Sequence, residues 1–225
     1  MIVYTAIFGG YDNLLDPMED YEGVDFVCFT DDPNMKSDIW DVRVYQPRYG
    51  DPRHDAKVFK ILPHQFFPNH DCSLWIDGCY RLVRNPSDLL KFFGSHSMAC
   101  MEHPQRDCIY DELRASLLIG WAGVGDISRQ VERYKQEGYP KNNGLAYGGF
   151  LLRRHNDAVV SAVMDDWWHE ICTESRRDQI SFPYVARKHG FGWGIIPGTN
   201  FENEFMCPVV DNTPHCRLHG LWPLL

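Results

Sequence analysis

Along this chain short apolar runs alternate with segments of helical spacing, and several of the runs stop at glycine or at an acid. Ile2 to Phe8 is β-branched and aromatic and closes at Gly9-Gly10-Tyr11-Asp12, while Asp25 to Thr30 runs into Asp31-Asp32-Pro33. Both predict inner strands that open onto polar loops at the same edge of a sheet. Trp40 to Tyr45 predicts a short third strand, followed by a loop marked by Pro47, Gly50 and Pro52. Asp55 to Leu62 reads as a short helix with Asp55 as its N-cap, interrupted by Pro63. The next run, Ser73-Leu-Trp-Ile-Asp77-Gly78, is a buried strand with a carboxylate at its end. A helix crossing between such strands is the grammar of a right-handed βαβ unit and a mostly parallel sheet.

The second half continues the alternation. Pro86 to Phe93 predicts a helix, Ser97 to Met101 a strand leading to Glu102-His103-Pro104-Gln105-Arg106, and Ile109 to Leu118 a helix. Asp126 is placed to cap an amphipathic helix carrying Ile127, Val131 and Tyr134 and ended by Gly138. Leu145 to Leu152 is strand-like with Gly148-Gly149 in its middle, where missing side chains let another group approach the sheet. Asp157 to Thr173 shows a core-facing helical stripe of Val159, Val163, Trp167 and Ile171. Ile180 to Lys188 predicts a further helix, Trp193 to Pro197 a last strand, and the tail from Asp211 a loop. With no repeat or linker, residues 1–225 are expected to form one domain.

Composition narrows the classes. The length suffices for a buried core without staples, and eight cysteines with no Cys-x-x-Cys pair exclude a zinc ribbon or thioredoxin motif. They read as reduced thiols of a cytoplasmic protein. The first apolar run breaks at Gly9-Gly10, too short for a signal peptide or an integral membrane segment. A net charge of -9, from 22 Lys plus Arg against 31 Asp plus Glu, disfavours nucleic acid and anionic lipid as partners. Nothing in the sequence states an oligomeric order.

Each candidate group carries two readings. Asp77 stands where an open α/β sheet presents its ligand crevice, and Gly78 beside it leaves room for a ligand, but Asp-Gly is also a common turn. Gly9-Gly10 is either a phosphate- or nucleoside-facing loop or a plain turn. Lys57 and Lys60 share one helical face, ordinarily a solvated one. His103 and Arg106 offer a titratable donor and a fork of donors for an anionic or hydroxylated ligand, or serve structure alone. Arg176-Arg177-Asp178-Gln179 opens a helix and suits either phosphate and hydroxyl binding or N-terminal capping, with spacing alone favouring capping. His215 and His219 are spaced for a metal on a helix, but Pro214 and Gly220 argue for a loop.

Seven stretches together carry a resemblance. Tyr4-Thr-Ala-Ile-Phe-Gly-Gly-Tyr-Asp12, Phe26-Val-Cys-Phe-Thr-Asp31, Lys57-Val-Phe-Lys-Ile-Leu-Pro-His64, Ser73-Leu-Trp-Ile-Asp-Gly78, His103-Pro104, Arg154-His155-Asn156 and Arg177-Asp178-Gln179 span nearly the whole chain. In order and spacing they resemble the glycosyltransferase-like domain-of-unknown-function family 616. The segment from Ala56 to Gly78 is also similar to the one that precedes the Asp-x-Asp motif in family-8 glycosyltransferases. The resemblance implies a GT-A-like, Rossmann-type fold with a mostly parallel central sheet flanked by helices.

It further implies sugar transfer from a nucleotide-sugar donor, expected to be UDP-linked, to a glycan or small-molecule hydroxyl acceptor. By that match Phe8, Gly9, Gly10, Tyr11, Asp12 and Asp31 face the nucleoside. Lys60, with Lys57, faces the phosphates, and Asp77 with Gly78 faces a metal or ribose. Asp178 is the acceptor-side carboxylate, the base if the enzyme inverts and an anchor if it retains, while His103, Arg106 and Gln179 line the sugar or acceptor pocket. Divalent Mn or Mg is implied as cofactor, with Asp77 and His219 or His215 as ligands. The chain departs from the pattern at Asp77-Gly78-Cys79, where the second acid of Asp-x-Asp is absent. Two other readings stand beside transfer: a catalytically silent nucleotide- or sugar-binding domain on this scaffold, and a hydrolase, the label of one plant member. No Gly-x-Ser-x-Gly elbow supports the hydrolase.

Overall fold

The structure, a computed structural model, describes residues 1–119, 124–209 and 213–214. In chain order it contains β1 (Ile2–Ile7), β2 (Asp25–Thr30), β3 (Asp41–Val44), α1 (Pro52–Ile61), α2 (Pro63–Phe66), β4 (Ser73–Ile76) and β5 (Tyr80–Leu82). A 3-10 helix (Pro86–Phe93), β6 (Met98–Glu102), α3 (Ile109–Ile119), α4 (Val124–Gln136) and β7 (Ala146–Arg153) follow, then α5 (Ala158–Thr173), α6 (Asp178–Lys188), β8 (Gly194–Ile195) and β9 (Met206–Pro208). Seven strands form one sheet in the order β3-β2-β1-β4-β7-β6-β8, and β5 pairs with β9 in a separate ribbon. β1 runs parallel to β2 and β4, β2 parallel to β3, and β6 parallel to β8. β7 is antiparallel to both of its neighbours. The architecture is the mostly parallel α/β sheet that the strand-and-helix alternation predicts, of the GT-A-like kind that the resemblance implies.

The α-helices cover one face of the sheet, and the 3-10 helix, loops and the β5–β9 ribbon cover the other, so its inner strands are apolar on both sides. On β1 and just beyond it, Ile2, Tyr4, Ala6 and Phe8 pack into one cluster with Phe29, Phe59, Phe67, Trp75 and Trp167. Val3 and Ile7 pack into the other, with Phe26, Trp40, Leu74, Ile76, Phe93 and Leu152. The chain leaves β1 to one side for β2 and β3 and reaches β4 on the other, so the strand order reverses at β1. In open α/β sheets ligands bind outside the carboxyl ends of the strands at such a switch point. The loop 8–12 after β1 and the turn at Asp77 after β4 both stand there.

Several local expectations change. α1 starts at Pro52 with Asp51 as N-cap, accepting from the amides of Arg53 at 2.9 Å and His54 at 3.2 Å. Asp55 lies buried inside the helix and instead accepts the amides of Arg48 at 2.6 Å and Tyr49 at 3.0 Å. Asp126 falls within α4 rather than before it. The core stripe of α5 is Val160, Val163, Met164, Trp167 and Ile171, and Val159 is 55% exposed. Pro86–Phe93 winds as a 3-10 helix capped by Asn85. The seven described cysteines are free thiols. Among the described residues no helix is long and apolar enough to cross a membrane.

Arg153, fully buried at the end of β7, fastens α1 to the sheet. Its guanidinium donates to the Lys60 carbonyl at 2.8 Å and to the Tyr4 hydroxyl, and that hydroxyl donates to the same carbonyl at 3.1 Å. Burial pushes the Tyr4 phenol up to about 12, so it stays a neutral donor. On the same face Trp167 of α5 donates its indole N–H to Ser181 of α6 at 3.1 Å and is 1% exposed. Trp167→Ala should lower unfolding free energy by about 3–5 kcal/mol, measured by urea denaturation, because the emptied volume cannot close.

Candidate functional site

The site starts at the end of β1. Gly9 and Gly10 both take left-handed backbone angles, with φ of 60° and 61°, which side chains rarely tolerate. The Gly9 amide donates to both oxygens of Asp31, at 2.9 and 3.1 Å, so Asp31 braces the loop from the end of β2. A Cβ on Gly9 would lie 2.5 Å from Pro52 Cγ, which ties the loop to the start of α1. The ring of Phe8 is buried and stacked on Phe59 with centroids 5.6 Å apart. This bears on one expectation: the Phe8 ring is turned into the core, so only its backbone is open to a ligand at the loop. Gly78 is corrected as well, since what approaches its bare Cα is Asp12. A Cβ there would stand 2.8 Å from Asp12 Oδ2. Burial raises the Tyr11 phenol against the pull of Arg53, and the carboxylates Asp12 and Asp77 add to the rise.

Asp77 follows β4 and is held by its own strand. Its amide donates to the Gly149 carbonyl at 2.9 Å, and its Oδ1 accepts the Trp75 indole N–H at 2.7 Å. Lys60 of α1 points into the same space, with Nζ 3.6 Å from Asp77 Oδ1 and 2.7 Å from Asp178 Oδ2 at the start of α6. Lys57, one turn earlier, is 3.6 Å from Asp178 Oδ1 and donates to the Arg176 carbonyl at 2.8 Å. The ordinary solvated-face reading of the two lysines fails, since their side chains are 16% and 7% exposed. Gly148 explains how they fit: a Cβ there would meet Lys60 Nζ at 3.2 Å and Asp178 Oδ2 at 3.4 Å. The close approach expected at Gly148-Gly149 is thus made at Gly148 by an ammonium and a carboxylate.

Burial opposes every charge in this group. For Asp178 it would raise the carboxyl, but Lys57, Lys60 and Arg177 outweigh it and hold the group well below the ordinary carboxylate range. For Lys60 burial is likewise overcome, by Asp178 and Asp77, and its ammonium is held above the usual value. Burial prevails at Lys57, which falls to about 8.

A second charged group adjoins the first. Glu112 of α3, enclosed by its surroundings, accepts from Arg106 Nε at 2.8 Å and from Arg177 Nε at 3.0 Å, and stands 3.6 Å from His103 Nε2. Arg177 occupies the N-cap position of α6 but makes no side-chain cap, so the capping reading gives way to this long-range pairing. Its guanidinium also donates to the Gln179 side chain. His103 Nδ1 accepts the amides of Gln105 at 3.3 Å and Arg106 at 3.2 Å. The ring is 0% exposed, which corrects its expected place in the pocket lining; it supports the loop that carries Arg106. Glu112 was missed by sequence reasoning, its signal being no more than an acid on an amphipathic helix.

The described residues do not by themselves fit a Mn or Mg ion. Such a cation is commonly held by one or two carboxylates, with waters and substrate phosphates completing about six oxygens; of the expected protein ligands the described residues include Asp77, which already meets Trp75 and Lys60. Among the described residues no group of three or more His, Cys, Asp or Glu side chains gathers to hold a metal. His215 and His219 lie outside the described residues.

Comparison with known proteins adds four findings. A family profile described as TOD1/MUCI70, glycosyltransferase-like domain, matches residues 1–197. The probable hexosyltransferase MUCI70 of Arabidopsis thaliana is 31% identical over 217 residues, covering 84% of this chain and 37% of that protein. The alkaline ceramidase TOD1 of Arabidopsis thaliana is 25% identical over 223 residues, covering 82% of this chain and 48% of that protein. The chain therefore spans between about a third and a half of the length of these relatives. In fold, the apo structure of the bifunctional glycosyltransferase WbbM superposes with a TM-score of 0.51 at 10% identity, over 87% of this chain and 38% of that one.

Two buried histidines give the chain a pH signature. Burial lowers His103 to about 4, against the pull of Glu112, and lowers His155 to about 4, against its hydrogen bond to the Phe67 carbonyl. Both protonate near 6.5 when unfolded, so the unfolded chain binds more protons between those values. Stability should fall as pH drops from about 6.5 to about 4, by on the order of 3 kcal/mol for each ring. Urea unfolding at pH 7 and pH 4.5 measures the slope, and His155→Gln should remove roughly half of it; equal stability at the two pH values would contradict the assignment.

Proposed function

The chain belongs to the TOD1/MUCI70 family of glycosyltransferase-like domains, and from that premise we propose that it transfers a sugar from a UDP-linked donor to a hydroxyl of a glycan or small-molecule acceptor. One observation carries the reading: the Lys60 ammonium is fixed between Asp77 and Asp178 at the mouth of the sheet's switch point. The diphosphate leaving group of such a donor gains negative charge as the glycosidic bond breaks, and a preorganised cation stabilises that charge without reorganising. Lys60, with Lys57 beside it, takes that role. The backbone of residues 8–12, braced by Asp31, faces the nucleoside. Asp77 faces the ribose, and Arg106 and Gln179 border the sugar or acceptor. Asp178 orients the lysines and the acceptor hydroxyl.

The absent second acid at Cys79 supports a second reading, a silent domain that binds the nucleotide and transfers nothing. The two differ in one assay, release of UDP from a panel of nucleotide-sugars. UDP at about a hundredfold excess over its Kd should raise the melting temperature by about 5–10 °C, since it binds the native state alone. Lys60→Met should remove most of that shift. Asp178→Asn should keep it while transfer drops about 100-fold or more. No shift with any nucleoside diphosphate, with or without Mn, would sink both readings; a shift without UDP release would leave the silent binder.

A further inference from the structure

The Glu112 cluster joins residues 103–106 after β6 and the first turn of α3 to the entry to α6, which is remote from both in sequence. A lone carboxylate enclosed in this way would be untenable, and the two arginines with His103 make it stable. Stability alone gives little reason to keep it, because buried charged triads often exchange for apolar residues at no loss. Its placement supplies the reason. Arg177 immediately precedes Asp178 and Gln179, and its guanidinium grips one oxygen of Glu112 through two nitrogens, with Nε at 3.0 Å and an Nη at 2.5 Å. Ser116, one turn along α3, donates to that same oxygen at 3.3 Å, while Arg106 takes the other at 2.8 Å. The first turn of α6 has no side-chain cap of its own, and this grip holds its entry together with the Lys57 bond to the Arg176 carbonyl and the Lys60 bond to Asp178.

We propose that Glu112 is a positioning residue of the transfer site: it holds Arg106, Arg177 and His103 together and, through Arg177, fixes the first turn of α6 from which Asp178 meets Lys60. Its kinetic consequence rests on the transferase reading, and its structural consequence does not.

Glu112→Gln keeps the shape and removes the charge, and Glu112→Asp keeps the charge and shortens the reach. In Glu112→Gln, kcat should fall about 100-fold with the donor KM within about threefold of wild type, the pattern of an interaction used in the transition state. Glu112→Asp should recover about tenfold of that loss. Amide hydrogen exchange at residues 178–181 should quicken about tenfold or more in Glu112→Gln while residues 160–171 of α5 stay unchanged. Wild-type kcat in Glu112→Gln, or exchange that rises evenly through α5 and α6, overturns the proposal. If circular dichroism shows Glu112→Gln unfolded, Arg177→Lys, which keeps the charge without the fork, takes the same measurements. Failure of both variants to fold makes the cluster a folding element and also overturns it. A wild-type protein that turns over no nucleotide-sugar brings down the transferase reading alone, and the exchange contrast still decides whether Glu112 fixes α6.

Discussion

Lys60 and Asp178, 118 residues apart in sequence, meet at 2.7 Å with side chains 7% and 6% exposed, and the geometry around the sheet's switch point follows from that pair. Removing two charges from water costs several kcal/mol per ion, and the attraction between them offsets this only with good geometry and further partners. The surrounding structure provides both. Arg153 and Tyr4 fasten the Lys60 backbone, and Gly148 leaves the space that a Cβ would fill. Lys57 approaches the second oxygen of Asp178, and Asp77 approaches the ammonium from the other side. α1 and α6 are thereby held at one separation across β7, with the loops after β1 and β4 opening beside them.

Charge at this site is more evenly balanced than over the whole chain. Against a total of -9, the two adjoining groups bring four cations, Lys57, Lys60, Arg106 and Arg177, against three carboxylates, Asp77, Glu112 and Asp178. Long-range attraction to a polyanion is set by the total, and a small anion entering a pocket responds to the nearest fixed charges. The total of -9 disfavours a broad nucleic-acid grip, while the fixed ammonium and guanidinium groups at the site supply local attraction for a small anion. His103 adds no charge to the recess at neutral pH, because burial keeps its ring neutral.

What could be read from the sequence is what strands carry at their ends. An apolar run followed by Gly9-Gly10 or by Asp31 or Asp77 marks the carboxyl edge of a sheet, and those residues do converge there. The lysines were different. A pair at helical spacing looks the same whether it faces water or a buried acid, so Lys60 was assigned only through the family pattern. The acid it meets comes from the far end of the chain, which no local spacing reports. Glu112 was illegible for the same reason, with partners at 106 and 177. At Arg177 the local reading was misleading, since short-range capping and long-range pairing use the same residues at a helix start. The cap of α1 was misplaced by one turn because two aspartates, Asp51 and Asp55, suited it; the proline at position 52 decides, being tolerated at the first helical position.

The lysines also bear on what Asp178 does during transfer. A general base works best with a proton affinity matched to neutral pH, and a carboxylate held far below its ordinary range by two ammonium groups is a weak one. In this arrangement the Asp178 carboxylate is thus suited to orienting its neighbours and poorly suited to taking a proton. On the proposed reaction, a donor diphosphate beside Lys60 would compete for the same ammonium, and charge building on the leaving group would weaken the hold of Lys60 on Asp178. With that partner loosened, burial acts on the carboxylate with less opposition and its proton affinity climbs. In an inverting reaction this would make Asp178 most basic as the acceptor hydroxyl gives up its proton. In a retaining one it would leave Asp178 a fixed anchor, with Lys57 and Lys60 dividing their hold between acid and phosphate.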